Sequence, residues 1–348
     1  MLANLKAAAW RMLAGSYYCS GLPHVRHRGR VAILTYHRVV SDDMVRTEHI
    51  QPGMYVRAQS FETQMAYLSR RFVVLSLDDL LELWRADRLD DRKSYCVITF
   101  DDGWQDNYRY AFPVLRKHGL PATIFLATDF IGTTRWFWPD QLAFMLGGSG
   151  WRTGREVRMA LATALEEMPE IGEPERGKLR LRCRSKDPID PDALIEWCKK
   201  LRPPVVGQFV DRLSHALHVG LPVWRVLLDW DEVREMAGQG MTFGSHSCSH
   251  RIMTQIPLAE AKKELIDSRQ AMLLQGVKPV PVFCYPNGNH DQSIKALVRE
   301  NGYLAALGCG IGLEGRQPED QFALRRLSLH DDSTASPHLF SLAISGLR

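Results

Sequence analysis

Two adjacent carboxylates follow an apolar stretch in the middle of the chain. Residues 96–100 read CVITF, and Asp101, Asp102 and Gly103 come directly after them. Burying charge is costly unless the charged group is hydrogen-bonded, paired or bound to a metal ion, so these carboxylates need a partner. Two arrangements would supply such partners. In the first, one carboxylate caps the next helix and the other pairs with a basic residue. In the second, one carboxylate binds a metal cation and the other faces a water molecule bound to that cation.

A second polar group, GSHSCSH at residues 244–250, follows another strand-like stretch. Its His246 and His250 are four positions apart, a spacing that can present both imidazoles on one side of a helical turn. Two histidines and one carboxylate are a typical set of three protein ligands for a catalytic metal, with water in the fourth position. A second carboxylate beside that water is the arrangement of a metal-dependent hydrolase.

Strand-like and helix-like segments alternate along the chain, which predicts a parallel sheet with crossover helices in a barrel or a doubly wound fold. Sites in such folds gather at the carboxyl ends of the strands, which is where both aspartates and both histidines occur. The clearest strands are residues 31–37, 96–102, 122–128, 241–246 and 281–286, and the clearest helices are residues 60–72, 106–119, 229–240 and 258–276.

Composition narrows the class of protein. The chain has 348 residues, of which 45% are hydrophobic and 24% charged, as in ordinary globular proteins. A formal charge of +4 is too small an excess to predict a nucleic-acid partner. Seven cysteines without CxxC spacing argue against a disulfide framework and against a zinc knuckle. The oligomeric state stays open.

Residues 1–30 form a separate N-terminal segment in this interpretation, an amphipathic helix from Leu2 to Leu13 followed by a basic linker. Lys6 and Arg11 interrupt its apolar character, so it is too short to span a bilayer and does not follow the order of a signal peptide. We expect it to pack on the domain, with peripheral membrane contact as the alternative. The expected location is the cytoplasm or the inner membrane surface.

Residues 31–348 are expected to form one barrel domain. From about residue 136 to 227 the alternation of strands and helices stops, which predicts a helical insertion. Trp136, Phe137 and Trp138 begin this stretch, either as rings on which sugars stack or as anchors of the insertion.

Several motifs resemble those of the polysaccharide deacetylases, the NodB-homology carbohydrate esterases. TFDDG (99–103) and HSCSH (246–250) look like the first two motifs of that family, and YPNG (285–288) resembles the third. The similarity covers most of residues 31–330 and extends through YHRV (36–39), AFPVLRKHGLPATIFLATDFIG (111–132), WDEVREMAGQGMTFGSH (230–246) and FALRRLSL (322–329). The resemblance implies an α/β fold, a distorted (β/α) barrel of the NodB-homology type.

Carried over to this chain, the resemblance implies that Asp101 is the general base and that Asp102, His246 and His250 hold one divalent metal ion. Zinc suits these ligands, and cobalt, nickel or iron would also be accepted. The implied reaction removes the N-acetyl group from N-acetylhexosamine units of a polysaccharide or oligosaccharide. A backbone N–H just after Tyr285 would help to stabilise the oxyanion.

A general acid must protonate the leaving amine, and two histidines compete for that role. His330, in LSLHDD, resembles the late Leu-x-His motif of ordinary family members. The chain as a whole is more similar to a subgroup that includes poly-N-acetylglucosamine deacetylases, in which the barrel is circularly permuted and the acid lies in a YHRV-like motif. That similarity favours His37, and it places the first strand, residues 31–37, beside the last, residues 323–329.

One departure from the family concerns the arginine that many members place before the proline of the third motif. Cys284 occupies the corresponding position here. Arg326 in the last strand is predicted to replace this arginine as the partner of Asp101, because a guanidinium can hold the carboxylate ionised and oriented.

Two other functions remain open. The same metal site could serve an O-acetyl esterase or another amidohydrolase, or the chain could be an inactive glycan-binding protein.

Overall fold

The computed structural model describes residues 2–147, 154–185 and 189–347. The chain divides into two compact units. The second consists of Asp42–Pro52 and the described part of Thr134–Arg225, and the first contains the rest of the described chain. Residues 42–52 were not predicted to join the helical insertion, because this short polar stretch carries no apolar periodicity that links it to a distant segment.

A parallel sheet forms the centre of the first unit. The strands of the described chain are β1 (Val31–Tyr36), β2 (Arg38–Val40), β3 (Tyr55–Arg57), β4 (Val73–Leu75), β5 (Tyr95–Phe100), β6 (Thr123–Leu126), β7 (Thr242–Ser245), β8 (Pro279–Cys284), β9 (Ala305–Leu307) and β10 (Leu327–Ser328). The order across the sheet is β10, β1, β5, β6, β7, β8 and β9, while β4 pairs with the start of β5 and β2 pairs separately with β3.

The first predicted strand lies beside the last, as expected. Leu34 of β1 is paired with Leu327 of β10. The segment that ends in β10 also reaches the opposite edge strand, since the N–H of Leu324 donates to the carbonyl of Ala306 in β9 at 2.9 Å. The segment therefore makes backbone contacts with both β1 and β9.

Helices surround this barrel and also build the second unit. They are α1 (Leu2–Cys19), α2 (Leu22–His27), α3 (Asp42–Thr47), α4 (Ala58–Arg71), α5 (Leu77–Arg85), α6 (Phe112–His118), α7 (Trp138–Gly147), α8 (Gly154–Glu166), α9 (Glu175–Arg184), α10 (Pro191–Cys198), α11 (Pro203–Leu217), α12 (Trp230–Gly238), α13 (Leu258–Leu274), α14 (Gln292–Glu300), α15 (Asp331–Thr334) and α16 (Pro337–Ala343).

Local signals explain why some of these helices were predicted nearly to their ends. Asp229 caps α12, and Glu232 completes a capping box with it. Gly119 ends α6 with a left-handed backbone, φ 63°. The start of the same predicted helix differs, because Asn107–Ala111 form a π-helical turn that runs into α6.

The N-terminal helix is longer than predicted and extends to Cys19 instead of Leu13. Ala14 and Tyr17 are buried against Leu342 of α16, so part of α1 packs on the first unit. Trp10 and Leu13 remain 40% and 50% exposed. Among the described residues, no helix combines the length and the hydropathy that crossing a bilayer requires.

The second unit has its own hydrophobic core. Leu142, Leu161, Phe209 and Leu213, from α7, α8 and α11, are fully buried in it. The apolar residues of α11 recur at helical spacing, which is how a helix buries one face in a helical bundle. Helices of the second unit therefore stabilise one another through this shared core.

Candidate metal centre and active site

Two of the predicted site residues, His37 and Asp101, directly follow barrel strands and continue their inward faces. Val31 and Ile33 of β1 and Tyr95 and Val97 of β5 pack in one interior cluster. Side chains alternate along a strand, so the same inward face continues to His37 and to Asp101.

The other barrel strands follow the same rule. Val280 and Val282 of β8 point inward, and Cys284 continues that face. Leu324 points inward two positions before Arg326. Because parallel strands end at the same edge, these four inward side chains meet at the carboxyl end of the barrel.

The TFDDG motif bends the chain sharply at the end of β5. Asp102 and Gly103 both have left-handed backbones, with φ of 76° and 83°. A Cβ on residue 103 would lie 2.8 Å from the side chain of Leu126, so this turn requires glycine both for its backbone and for space. The turn allows two consecutive aspartates to face different neighbours.

The HSCSH motif is a loop and not the helical turn that the spacing of its histidines suggested. Ser247 and His250 have left-handed backbones, with φ of 64° and 57°. The two imidazoles still face each other, with ring centroids 4.9 Å apart. The prediction of convergence was right and the predicted backbone was wrong, because tertiary hydrogen bonds shape this loop.

Glu264 of α13 makes those hydrogen bonds. Its buried carboxylate accepts the backbone N–H groups of Cys248 and Ser249 at 2.7 and 2.9 Å. The hydroxyl of Ser249 and the guanidinium of Arg251 donate to the other oxygen, at 2.5 and 3.0 Å. The sequence analysis missed Glu264, since a glutamate in a long helix normally faces solvent.

Three ligand atoms converge at the centre of the site. His246 Nε2 and His250 Nε2 lie 3.4 and 3.2 Å from Asp102 Oδ1. Ligand atoms bound at 2.0–2.1 Å to a tetrahedral zinc ion lie roughly 3.3 Å from one another. The distances from Asp102 Oδ1 to the two imidazole nitrogens are therefore already those of a zinc site.

Hydrogen bonding around these atoms supports the same conclusion. His246 Nδ1 lies 2.9 Å from the carbonyl of Cys284, so Nδ1 carries the proton and Nε2 presents its lone pair. Asp102 Oδ1 is buried and accepts no hydrogen bond from the described residues. A lone pair directed at a buried carboxylate oxygen is repulsive unless a cation lies between them, so the residues present fit a divalent metal ion.

The neighbouring Asp101 has a different environment. Its two oxygens accept Nη1 and Nη2 of Arg326, each at 2.8 Å, and the thiol of Cys284 donates to Oδ1 at 3.4 Å. Burial alone would raise the pKa of Asp101, but Arg326 outweighs burial and lowers this pKa to about 2. Asp101 is therefore held ionised, and Arg326 makes the contact that was predicted for it.

A second set of potential ligands, Asp101, His246 and Cys284, lies close to the first. It fits a metal ion less well. Arg326 already occupies both oxygens of Asp101, His246 Nδ1 is bonded to a carbonyl, and burial raises the pKa of the Cys284 thiol. The set of Asp102, His246 and His250 is the better candidate.

The two histidines proposed as the general acid occupy different places. His37 follows β1, and burial lowers its pKa, although the charges of Asp102 and Asp101 act in the opposite direction. His37 Nδ1 is buried without a hydrogen bond from the described residues. His330 precedes α15, and its ring nitrogens lie 3.3 Å from the Ser333 hydroxyl and 3.5 Å from the Asp332 carboxylate.

The aromatic residues at the start of the second unit have separate roles in packing. Phe137 is buried and Trp138 packs against the core of that unit. Trp136 instead makes edge-to-face contacts with Phe144 and Trp224. Trp136 and Trp138 therefore both pack within the second unit.

Comparison with known proteins agrees with this geometry. The sequence model of the family described as polysaccharide deacetylase matches residues 88–156 and 205–306. These residues of the chain belong to the polysaccharide deacetylase family. They include Asp101, Asp102, His246 and His250, while His37 lies outside them.

Parts of this chain resemble two curated relatives. The chain is 33% identical over 118 residues to the putative polysaccharide deacetylase YxkH of Bacillus subtilis, which covers 33% of this chain and 38% of the relative. It is 33% identical over 110 residues to the poly-beta-1,6-N-acetyl-D-glucosamine N-deacetylase of Staphylococcus epidermidis, covering 29% and 37%. The matched region is thus less than two-fifths of either relative.

Two solved structures share the fold of this chain. The Streptococcus pyogenes deacetylase PplD in complex with acetate superposes with a TM-score of 0.56 at 16% identity, covering 90% of this chain and 98% of that one. IcaB from Ammonifex degensii gives a TM-score of 0.53 at 16% identity, covering 92% and 98%. The predicted (β/α) barrel of the NodB-homology type is confirmed.

Proposed function

We propose that this protein is a metal-dependent hydrolase that removes N-acetyl groups from N-acetylhexosamine units of a polysaccharide. The observation that carries the proposal is the convergence of two imidazole Nε2 atoms on one oxygen of Asp102, next to an ionised Asp101. Family membership and the relative named as a poly-N-acetylglucosamine deacetylase support the choice of an acetylated glycan.

Asp102, His246 and His250 would hold the metal ion. A divalent ion in this position supplies Lewis acidity toward the acetyl carbonyl and acidifies the attacking water. Zinc is the ion we propose, because two imidazoles and one carboxylate at this spacing are typical zinc ligands.

Asp101 would act as the general base. It removes a proton from the water whose oxygen attacks the acetyl carbon, and Arg326 keeps the carboxylate ionised and oriented for this step. Pro286 has no N–H, so the first backbone donor after Tyr285 that could stabilise the oxyanion is the N–H of Asn287.

His37 would act as the general acid. When the carbon–nitrogen bond breaks, the leaving nitrogen receives a proton from His37, and the products are acetate and a free amine. Its place at the end of β1, next to the end of β5, puts it on the same edge of the barrel as Asp101.

The test is release of acetate from poly-β-1,6-N-acetylglucosamine and from chitooligosaccharides, with an O-acetylated xylan as the competing substrate. We expect acetate from an N-acetylated glycan, loss of activity with a chelator, and recovery when zinc, cobalt, nickel or iron is added. Release from the xylan alone would replace the proposal with an O-acetyl esterase. No release from any substrate by metal-loaded protein would favour a glycan-binding role.

Two variants make the metal requirement specific. His250→Ala should lose both bound metal and acetate release, because it removes one of three ligands. His215→Ala is the matched control, since His215 is an exposed histidine of α11 in the second unit. Its metal content and activity should equal those of the unmodified protein.

A further inference from the structure

The oxygen of Asp102 that does not face the histidines has a partner of its own. The indole N–H of Trp104 donates to Asp102 Oδ2 at 2.9 Å, and Trp104 is buried. One oxygen of the carboxylate therefore faces the two imidazoles while the other is held by a rigid donor two residues along the chain. This hydrogen bond fixes the rotation of a carboxylate whose backbone is left-handed.

The indole ring is in turn held from the other side. The guanidinium carbon of Arg38 lies 4.5 Å from the centroid of the Trp104 ring, which is a cation–π contact. Arg38 Nε pairs with Asp106 Oδ2 at 2.7 Å, and the backbone N–H of Val39 donates to Asp106 Oδ1 at 3.0 Å. Both charged side chains are buried, with 8% and 4% of their surface exposed.

A buried ion pair of this kind contributes little net stability, because desolvation of the two charges offsets their attraction. Its position suggests what it does instead. Arg38 directly follows His37, and Asp106 lies four residues after Asp102. The pair therefore joins the end of β1, which carries the candidate acid, to the loop that carries the candidate metal ligand.

We infer that Trp104 is a positioning residue for Asp102, and that the Arg38–Asp106 pair holds the indole in place. The inference rests on the proposed role of Asp102 as a metal ligand. Hydrogen bonds to ligating carboxylates commonly change metal affinity by roughly 10- to 100-fold, since they fix the ligand in its binding orientation.

Trp104→Phe separates the hydrogen bond from the packing. The phenyl ring occupies part of the space of the indole and can still face Arg38, but the donor to Asp102 is lost. The control variant below loses the same volume elsewhere. We expect zinc affinity, measured by competition with a chromophoric chelator, to fall roughly 10- to 100-fold while the thermal unfolding transition stays cooperative. The visible spectrum of the cobalt-loaded variant should also change, because the ligand orientation changes.

Trp84→Phe is the matched control. Trp84 is also a buried tryptophan of the first unit, and its indole N–H donates to the carbonyl of Gly315 at 3.3 Å. This variant loses an indole hydrogen bond that has no part in the site, so its zinc affinity should be unchanged.

Arg38→Met tests the second half of the inference. It should weaken zinc binding in the unmodified protein but add little in the Trp104→Phe background, because both substitutions act on the same carboxylate. Additive losses in the double variant would show that Arg38 does not act through the indole, and would overturn that half.

The remaining outcomes are distinct. If the unmodified protein binds no divalent metal, the proposed function fails and the inference fails with it. If the unmodified protein binds zinc and Trp104→Phe binds it equally well, only the inference is overturned. Equal weakening in Trp104→Phe and Trp84→Phe would show a general loss of structure and would also overturn it.

Discussion

Two adjacent aspartates have different partners in this structure, which is how they avoid repelling each other at the end of a buried strand. Asp101 is paired with Arg326 on both oxygens, whereas Asp102 faces two imidazoles. Burial alone would raise the pKa of Asp102, but hydrogen bonds from His246 and His250 outweigh it and hold this pKa well below the usual range when the ring nitrogens that face Asp102 carry protons. A cation between these atoms would act in the same direction. Two like charges are thus kept ionised by separate sets of neighbours.

Asp101→Asn should retain bound metal and lose turnover by roughly 100-fold or more, because it removes the base and no ligand. Metal content and acetate release are measured on the same preparation. Since the substitution leaves the buried charge of Arg326 without its carboxylate, thermal unfolding is recorded to confirm that the variant is folded at the assay temperature. Activity within about tenfold of the unmodified protein would show that Asp101 is not the base.

His37→Ala should lose most turnover and keep its bound metal, whereas His330→Ala should keep both nearly unchanged. The reason is their surroundings: His37 is close enough to both aspartates for their charges to act on its pKa, while the ring of His330 is near Ser333 and Asp332. Acetate release and metal content, measured for both variants, show which histidine is the general acid. An inactive His330→Ala with an active His37→Ala would assign the acid to His330 and remove support for the permuted arrangement.

At the scale of single elements, α2 is docked through a buried histidine that is neutral at neutral pH. His27 is 2% exposed, its ring packs edge-on against Phe72 at 4.9 Å between centroids, and neither ring nitrogen makes a hydrogen bond with the described residues. Burial, helped by the charge of Arg26, lowers the pKa of His27 to about 4. Docking of α2 therefore depends on a neutral imidazole.

This histidine predicts a loss of stability in acid. A histidine in the unfolded chain binds its proton near pH 6.5, whereas folded His27 binds it only near pH 4. The contribution of neutral His27 to the free energy of unfolding is therefore complete above pH 6.5 and is lost as the pH falls toward 4. The full loss corresponds to roughly 3 kcal/mol. Urea unfolding at pH 7.5 and 4.5 should show a smaller pH effect in His27→Leu than in the unmodified protein.

The control for this experiment is His215→Leu, which removes an exposed histidine of α11 in the second unit. It should keep the pH effect of the unmodified protein. If His27→Leu also keeps it, the acid sensitivity arises from other groups.

At the scale of the whole molecule, the chain keeps its candidate chemistry and its helical insertion in separate units. Asp101, Asp102, His246 and His250 all belong to the first unit, and the second has a hydrophobic core of its own. Core stability and metal binding are therefore expected to respond to different substitutions.

Leu213→Ala tests this separation. Leu213 is fully buried in the core of the second unit, so truncation should cost about 2–5 kcal/mol, the usual range for buried leucine. Urea unfolding measures that loss, and chelator competition should give the zinc affinity of the unmodified protein. A parallel drop in zinc affinity would show that the second unit supports the metal site.

Much of the fold could be predicted because its signals are local. Apolar runs mark β1, β5 and β8, and the capping box at Asp229 marks the start of α12. Short strands such as β2 and β10 were missed or overextended, because two or three residues carry too little periodicity to be distinguished from a loop. Residues 42–52 were missed for the same reason.

The sequence by itself determined which side chains could hold a metal, because two aspartates, two histidines and their place at strand ends can be read directly, and their resemblance to family motifs named the reaction. The contact of Arg326 with Asp101 across 225 positions was also predicted from the sequence, on chemical grounds. Tertiary structure alone decided the other supports: Glu264 shapes the histidine loop from a distant helix, and Arg38 packs on Trp104. Such contacts depend on which strands and helices become neighbours in the fold. The spacing of apolar residues along the sequence, with periods of two or 3.6 residues, identifies strands and helices but not their neighbours.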